Sequence, residues 1–175
     1  MYIIPHTQDM LNTAFEKAAR LGPLNNSITR GQGNAAGYLG EEAVASYLDA
    51  EIVSSDEGTN KFNHDLILPN GTRAEVKSKR RTVAPKDFYE VSVAKSSLHQ
   101  KPDLYIFVSL HFTRTEKKNG VVRYKDLKDV WLVGQKDYKD YLEQASFTQF
   151  EGRNYYVPAN MMFNMYMKDL DEVIK

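Results

Sequence analysis

"NHDLILPNGTRAEVKSKRR", Asn63 to Arg81, is the stretch on which the fold turns. Two short alternating runs flank Pro69-Asn70-Gly71. Asn-Gly between such runs is a strong hairpin signal, because a tight two-residue turn needs positive φ and these residues tolerate it. Asp65 and Ile67 then share one face of the first strand, and Leu66 and Leu68 the other. On the second strand Arg73, Glu75 and Lys77 oppose Ala74 and Val76. Two readings of the charged face are open. Acids and lysines alternating along an antiparallel hairpin commonly form a solvated face with cross-strand ion pairs. Alternatively, neighbouring carboxylates repel and call for a cation, and oxygen ligands of this kind suit Mg2+. Lys77 would then orient or deprotonate a water, or steady charge on a phosphate.

Upstream, "TQDMLNTAFEKAARLGP" predicts a helix: Met10, Leu11, Ala14, Phe15, Ala18 and Leu21 recur at helical spacing, Thr7 can cap the start and Gly22-Pro23 stop it. "LNNSITRGQGN" reads as a loop. A second helix spans roughly Ala35 to Asp49. Glu41 shares the stripe of Gly37, Val44 and Leu48, where an unpaired acid is costly, whereas Glu42 points further toward solvent. The bland alternative for Glu41 is a first-turn acid favoured by the helix dipole. "AEIVSS" suggests a short strand. Downstream, "DFYEVSV" predicts a strand, "AKSSLHQK" a short helix, and the apolar run "DLYIFVSLHF" a central strand. "TRTEKKNG" reads as a charged turn into "VVRYKDL". "DVWLVG" reads as a strand, "QKDYKDYLEQA" as a helix, "NYYVP" as a strand and "ANMMFNMYMKDLDEVIK" as a closing helix, with Met161, Met162 and Met165 at helical spacing for packing. The order predicts one mixed α/β domain.

The chain has 175 residues, no cysteine, and 23 basic residues against 23 acidic. That length supports one core. Disulfides and thiolate metal sites are excluded, and a reducing, cytoplasmic setting is expected. No apolar run is long enough for a membrane span, and "MYIIPHTQDM" lacks the features of a secretory signal. With zero net charge, nucleic-acid binding would require basic residues concentrated on one face. Lys79, Arg80, Arg81 and Lys86 follow Lys77 closely and could hold phosphates, although a solvated basic loop suits each of them singly. Arg30, ahead of a helix N-terminus, is a further candidate beside the plainer reading of a connector.

"GEEAVASYL", then "HDLIL", then "AEVKSKRR", with "KPDLYIFVSL" after them, resemble the PD-(D/E)XK nuclease superfamily over roughly Gly37 to Leu110. The resemblance implies a restriction-endonuclease-like mixed sheet flanked by helices, with a core of about residues 35–112 and C-terminal additions over 113–175. It matches Asp65 to the metal-binding aspartate, Glu75 to the second acid, Lys77 to the lysine and Glu41 to the helical glutamate of many members. The main-chain carbonyl of Val76 would complete the metal shell. The implied activity is Mg2+-dependent hydrolysis of DNA phosphodiesters, with Mn2+ substituting, by a structure-specific, homing-like or restriction-like endonuclease. Cutting both strands of a duplex needs two sites, so a homodimer is expected. The alternative is a nuclease-like module that binds nucleic acid without cutting it. His64 stands where the family motif has proline. Pro102-Asp103 is a decoy, since no Glu-x-Lys follows it at hairpin distance.

Other signals are weaker. "RGQGNAAG" lacks a preceding strand and the Gly-Lys-Ser/Thr of a phosphate loop, so no nucleotide cofactor is expected. His6, His64, His99 and His111 have no metal-ligand spacing. Ser78 could meet a phosphate. Phe88, Tyr89, Tyr155, Tyr156 and Phe163 are expected in a core or interface rather than as stacking platforms.

Overall fold

The computed structural model describes residues 1–21, 34–53, 64–118, 121–149 and 161–174. In chain order these form β1 (Tyr2–Ile4), α1 (Gln8–Leu21), α2 (Asn34–Leu48), β2 (Glu51–Ile52), β3 (Leu66–Ile67), β4 (Arg73–Arg81), β5 (Glu90–Ala94), β6 (Leu104–Lys118), β7 (Val121–Asp137), α3 (Tyr138–Gln144), β8 (Ser146–Gln149) and β9 (Met161–Tyr166). Single 3-10 turns follow β5 and β9.

The hairpin reading of the opening stretch holds. β3 and β4 pair antiparallel, Leu66 opposite Ala74, and Gly71 takes the positive φ of 83° that the turn requires. They belong to a six-stranded mixed sheet in the order β1-β7-β6-β4-β3-β2. Its one parallel pair is β4 with β6, Glu75 beside Tyr105 and Arg81 beside His111. A parallel neighbour cannot be reached by a tight turn. The intervening chain supplies β5, which joins β9 and β8 in a second, three-stranded sheet.

The period-two alternation of β4, β6 and β7 sends side chains to two cores. Val76, Ile106, Val108, Leu110, Val130 and Leu132 pack with Ala36, Leu39, Ala43 and Val44 of α2. Tyr105, Phe107 and Val133 pack on the other face with Val91, Val93, Tyr141, Met165 and Met167. Coverage of both faces explains the near-continuous apolar run of β6. Gly40 brings α2 close to the sheet. A methyl there would run into the Ser78 side chain and lie 3.6 Å from a Val76 methyl. Thr7 caps α1 as expected, its hydroxyl accepting from the Met10 amide at 3.2 Å.

Several expectations are corrected. The closing helix is strand β9 and a 3-10 turn. Phe163, Met165 and Met167 are also spaced by two, and pairing of β9 with β5 and β8 selects that period over the helical one. "TRTEKKNG" is not a loose turn: β6 runs through Lys118 and pairs with β7, which fuses the two runs read separately as "VVRYKDL" and "DVWLVG". "AKSSLHQK" yields only the 3-10 turn Lys95–Ser97. The first three residues of "QKDYKDYLEQA" belong to β7. β1 and β8 carried too little local pattern to be anticipated. "LNNSITRGQGN" (except Asn34) and "NYYVP" lie outside the described residues.

Candidate active site

Asp65 stands where the β3–β4 ladder ends. Its amide donates to the Ala74 carbonyl at 2.9 Å, and its own carbonyl accepts from the Val53 amide at 2.9 Å. Two residues further along β4 a carboxylate replaces the strand partner: Asp65 Oδ2 accepts from the Val76 amide at 2.8 Å. The side chain is thereby fixed at the mouth of the hairpin, beside the strand that carries Glu75 and Lys77.

Glu75 is 4% exposed. Its Oε1 accepts from Lys77 Nζ at 2.7 Å, and its Oε2 is buried without a hydrogen-bond partner. Lys77 also donates to Gln100 Oε1 at 3.3 Å. The solvated-face reading therefore fails for Glu75: this carboxylate is inside, and a buried acid with an unsatisfied oxygen is costly.

Glu41 reaches the same place from α2. Burial, then the Glu75 charge, push its carboxyl up to about 7; Glu42 adds to the rise, and Lys17 and Lys77 oppose it. Asp65 is held well above the usual carboxylate range by burial and then by Glu41 and Glu75, against the pull of the Val76 amide and Lys77. Three carboxylates on three elements thus repel one another in a low-dielectric pocket. Glu42 is engaged elsewhere, in an ion pair with Lys17 of α1 at 2.6 Å. The difference between the two glutamates follows from the helical rotation that separates adjacent residues by about 100°.

Sequence reasoning missed three neighbours. Tyr38, one turn before Glu41, has its hydroxyl pKa raised by burial, Glu41 and Asp65. Tyr105 lies beside Glu75 in the parallel register, and its buried hydroxyl has no partner. Burial, Tyr138 and Glu75 all raise its pKa. Gln100 holds Lys77 from the other side. Only Tyr38 carried a local signal, its helical spacing to Glu41.

The basic cluster is divided. Lys79 and Arg81 follow Lys77 on one face of β4. Lys79 is exposed, whereas Arg81 lies 4.9 Å over the Tyr89 ring and donates to the Glu90 carbonyl at 2.9 Å. Arg80 turns to the opposite face, 4.7 Å over the Tyr124 ring, and is corrected out of the phosphate-facing row. Lys86 is exposed beside Phe88. Phe88 itself is 64% exposed, which removes the core half of the core-or-interface expectation and leaves the interface half untested. Arg30 lies outside the described residues, as do Tyr155 and Tyr156. Ser78 is packed beneath Gly40 with its hydroxyl buried and unpartnered, so it does not meet a phosphate. Asp103 is a structural latch: Arg73 grips it with two side-chain bonds of 2.7 and 3.0 Å, which holds its carboxyl at about 2.

The donors fit a hard divalent cation in kind. They are carboxylate oxygens, mutually repelling, one without a partner. Among the described residues no group of three or more His, Cys, Asp or Glu side chains is already gathered for a metal ion, and Lys77 supplies the positive charge at Glu75. No described helix is long and apolar enough to cross a membrane. No family model matches the chain, and no curated protein matches it.

Proposed function

We propose that the chain is a Mg2+-dependent endonuclease of restriction-endonuclease-like fold that hydrolyses DNA phosphodiesters, with Mn2+ able to substitute. The observation that carries this reading is the buried Glu75 carboxylate, one oxygen on Lys77 and the other unpartnered, at the mouth of a hairpin where Asp65 and Glu41 converge. An arrangement so costly to fold is the kind that function maintains. The order α2, β2-β3-β4 antiparallel and β6 parallel to β4 supports the same reading.

Asp65 and Glu75 would hold the metal, with Glu41 and the Val76 carbonyl completing the set. When bound, the metal would lower the pKa of a water and offset charge developing on the phosphate. The chain's own residues do the positioning. Asp65 is oriented by the Val76 amide, and Gln100 holds the Lys77 ammonium ready to turn from Glu75 toward a phosphate oxygen or the attacking water. Lys79, and Lys86 further out, would anchor the DNA backbone. A homodimer would supply the second site for a double-strand cut.

A second reading follows from the 2.7 Å Lys77–Glu75 pair, which can neutralise the acid without any metal: a nuclease-like module that binds nucleic acid and does not cut it. The deciding experiment compares plasmid, linear duplex, single-stranded and four-way-junction DNA with Mg2+ or Mn2+, using Asp65→Ala and Lys77→Ala as controls. Cutting that is lost in both variants supports the nuclease. DNA binding without cutting on any substrate, and no melting shift with either metal, favours the module.

A further inference from the structure

β6 and β7 are longer than the sheet that contains them. β4 pairs with β6 only as far as His111, and β1 covers β7 only over Val130–Leu132. Beyond that border the two strands continue as a ribbon, Phe112 opposite Leu127, Arg114 opposite Lys125, Glu116 opposite Arg123 and Lys118 opposite Val121. At about 3.3 Å per residue this is an arm of roughly 20 Å. A two-stranded ribbon is marginal on its own. Here its root is fastened: Phe112 is buried against Tyr124, and Arg80 lies over the Tyr124 ring. From Thr113 to Lys117 every residue of the outgoing strand is exposed.

The arm is basic in a chain of zero net charge. Between Phe112 and Asp129 it carries Arg114, Lys117, Lys118, Arg123, Lys125 and Lys128 against Glu116, Asp126 and Asp129. All three acids are engaged, Asp126 and Glu116 by Arg114 at 3.0 and 3.6 Å and Asp129 by His111 at 3.1 Å. Among the described residues no acid lies in ion-pair range of Lys117, Arg123, Lys125 or Lys128. Residues paired directly across an antiparallel ladder share a face. Arg114, Lys125 and Arg123 therefore line one side of the ribbon, with Glu116 as the only acid in those two rungs.

We propose that this arm is a DNA-reading element that enters the major groove of a B-form duplex; the proposal rests on the nuclease reading and names its substrate as double-stranded. The major groove admits a two-stranded ribbon, whereas the deep, narrow groove of an RNA duplex does not. Arg and Lys on a ribbon face suit guanine edges and the flanking phosphates. The register also sets a spacing. Six residues of β6 separate Tyr105, beside Glu75, from His111 at the root of the arm. That is about 20 Å, or roughly six base pairs of duplex, between the carboxylates and the groove the arm would enter.

The test measures binding of a blunt duplex by the full chain in Ca2+, by fluorescence anisotropy across a salt series. Wild type is compared with a triple variant, Arg114→Gln, Arg123→Gln and Lys125→Gln. The expected result is at least a tenfold weaker Kd and a salt slope shallower by about 2–3, one unit for each lost phosphate contact. The Mg2+-dependent melting shift should be unchanged, because the arm is remote from the carboxylates. Methyl green, a major-groove ligand, should compete with the protein, and netropsin, a minor-groove ligand, should not. Should the triple variant melt early, Arg123→Lys with Lys125→Arg keeps the charge and must bind like wild type, while Arg123→Gln alone must weaken binding. A triple variant with unchanged Kd and slope overturns the arm and leaves the nuclease reading standing. Competition by netropsin alone overturns the groove assignment. A wild-type chain that binds no DNA overturns both.

Discussion

Glu41→Gln separates the electrostatics of the pocket from its packing. The Glu41 carboxyl is raised from its ordinary 4.5 to about 7, chiefly by burial and by Glu75. A raised carboxyl binds its proton more tightly in the folded chain than in the unfolded one. Its stabilising share is therefore complete below pH 4.5 and is lost as pH climbs through 7. Each tenfold change in proton affinity is worth about 1.4 kcal/mol, so the ionised side chain costs the metal-free fold about 3 kcal/mol at pH 8. Glutamine keeps the shape and cannot ionise. For a chain of this size 1 kcal/mol moves Tm by about 2–4 °C, so Glu41→Gln should melt about 10 °C above wild type at pH 8 and level with it at pH 4.5. Asp65, raised partly by Glu41, should relax in the variant and add to the effect. Mg2+ bound at the same carboxylates should stabilise wild type at pH 8 by about 3 kcal/mol at a hundred times its Kd, and Glu41→Gln by less. Differential scanning fluorimetry from pH 4.5 to 8, with and without Mg2+, measures all four curves. Parallel wild-type and variant curves across the whole range without metal would refute the reasoning, since the cost of Glu41 would then not be its charge.

Three further outcomes test the frame around the site. Gly134→Ala should cost about 1–3 kcal/mol and speed amide exchange at Gln135 and Asp171, because a methyl there would stand 2.7 Å from Leu170 Cβ and 2.9 Å from the Asp171 carbonyl, which pairs with the Gln135 amide. Tyr141→Phe should cost about 1 kcal/mol by urea melting, since the buried hydroxyl donates to the Phe163 carbonyl at 2.8 Å and ties α3 to the small sheet. In an NMR titration Asp103 should stay ionised until pH falls to about 2, and Arg73→Ala should return it toward its ordinary 3.8; no movement would show that the two-bonded guanidinium is not the cause.

How much of this was legible beforehand depends on the range of the signal. The β3–β4 hairpin, helix α2 and strand β6 announced themselves locally, through Asn70-Gly71, the small and apolar stripe around Val44, and an unbroken apolar run. The small sheet did not. β5 and β9 are about 70 residues apart in the chain, and no pattern in either names the other. That is why the methionine-rich end, which fits both periods, was misread as a helix. Asp65, Glu75 and Glu41 could be listed from their order along the chain, but their convergence depends on where α2 lies on the sheet, and that is set by Gly40 against Ser78.

Tyr105 shows the same limit at the scale of one side chain. Within "DLYIFVSLHF" it looks like another core aromatic, and its ring does pack between Phe107 and Tyr141. Only the parallel register of β6 on β4 sets it beside Glu75. On these neighbouring strands a phenol hydroxyl and a carboxylate oxygen are each buried without a hydrogen-bond partner. A core assembled for stability alone would have placed phenylalanine at 105 and an apolar residue at 75. Both polar groups sit where the hairpin ladder gives way to the Asp65 carboxylate, and the proposed cation is what would offset their cost there.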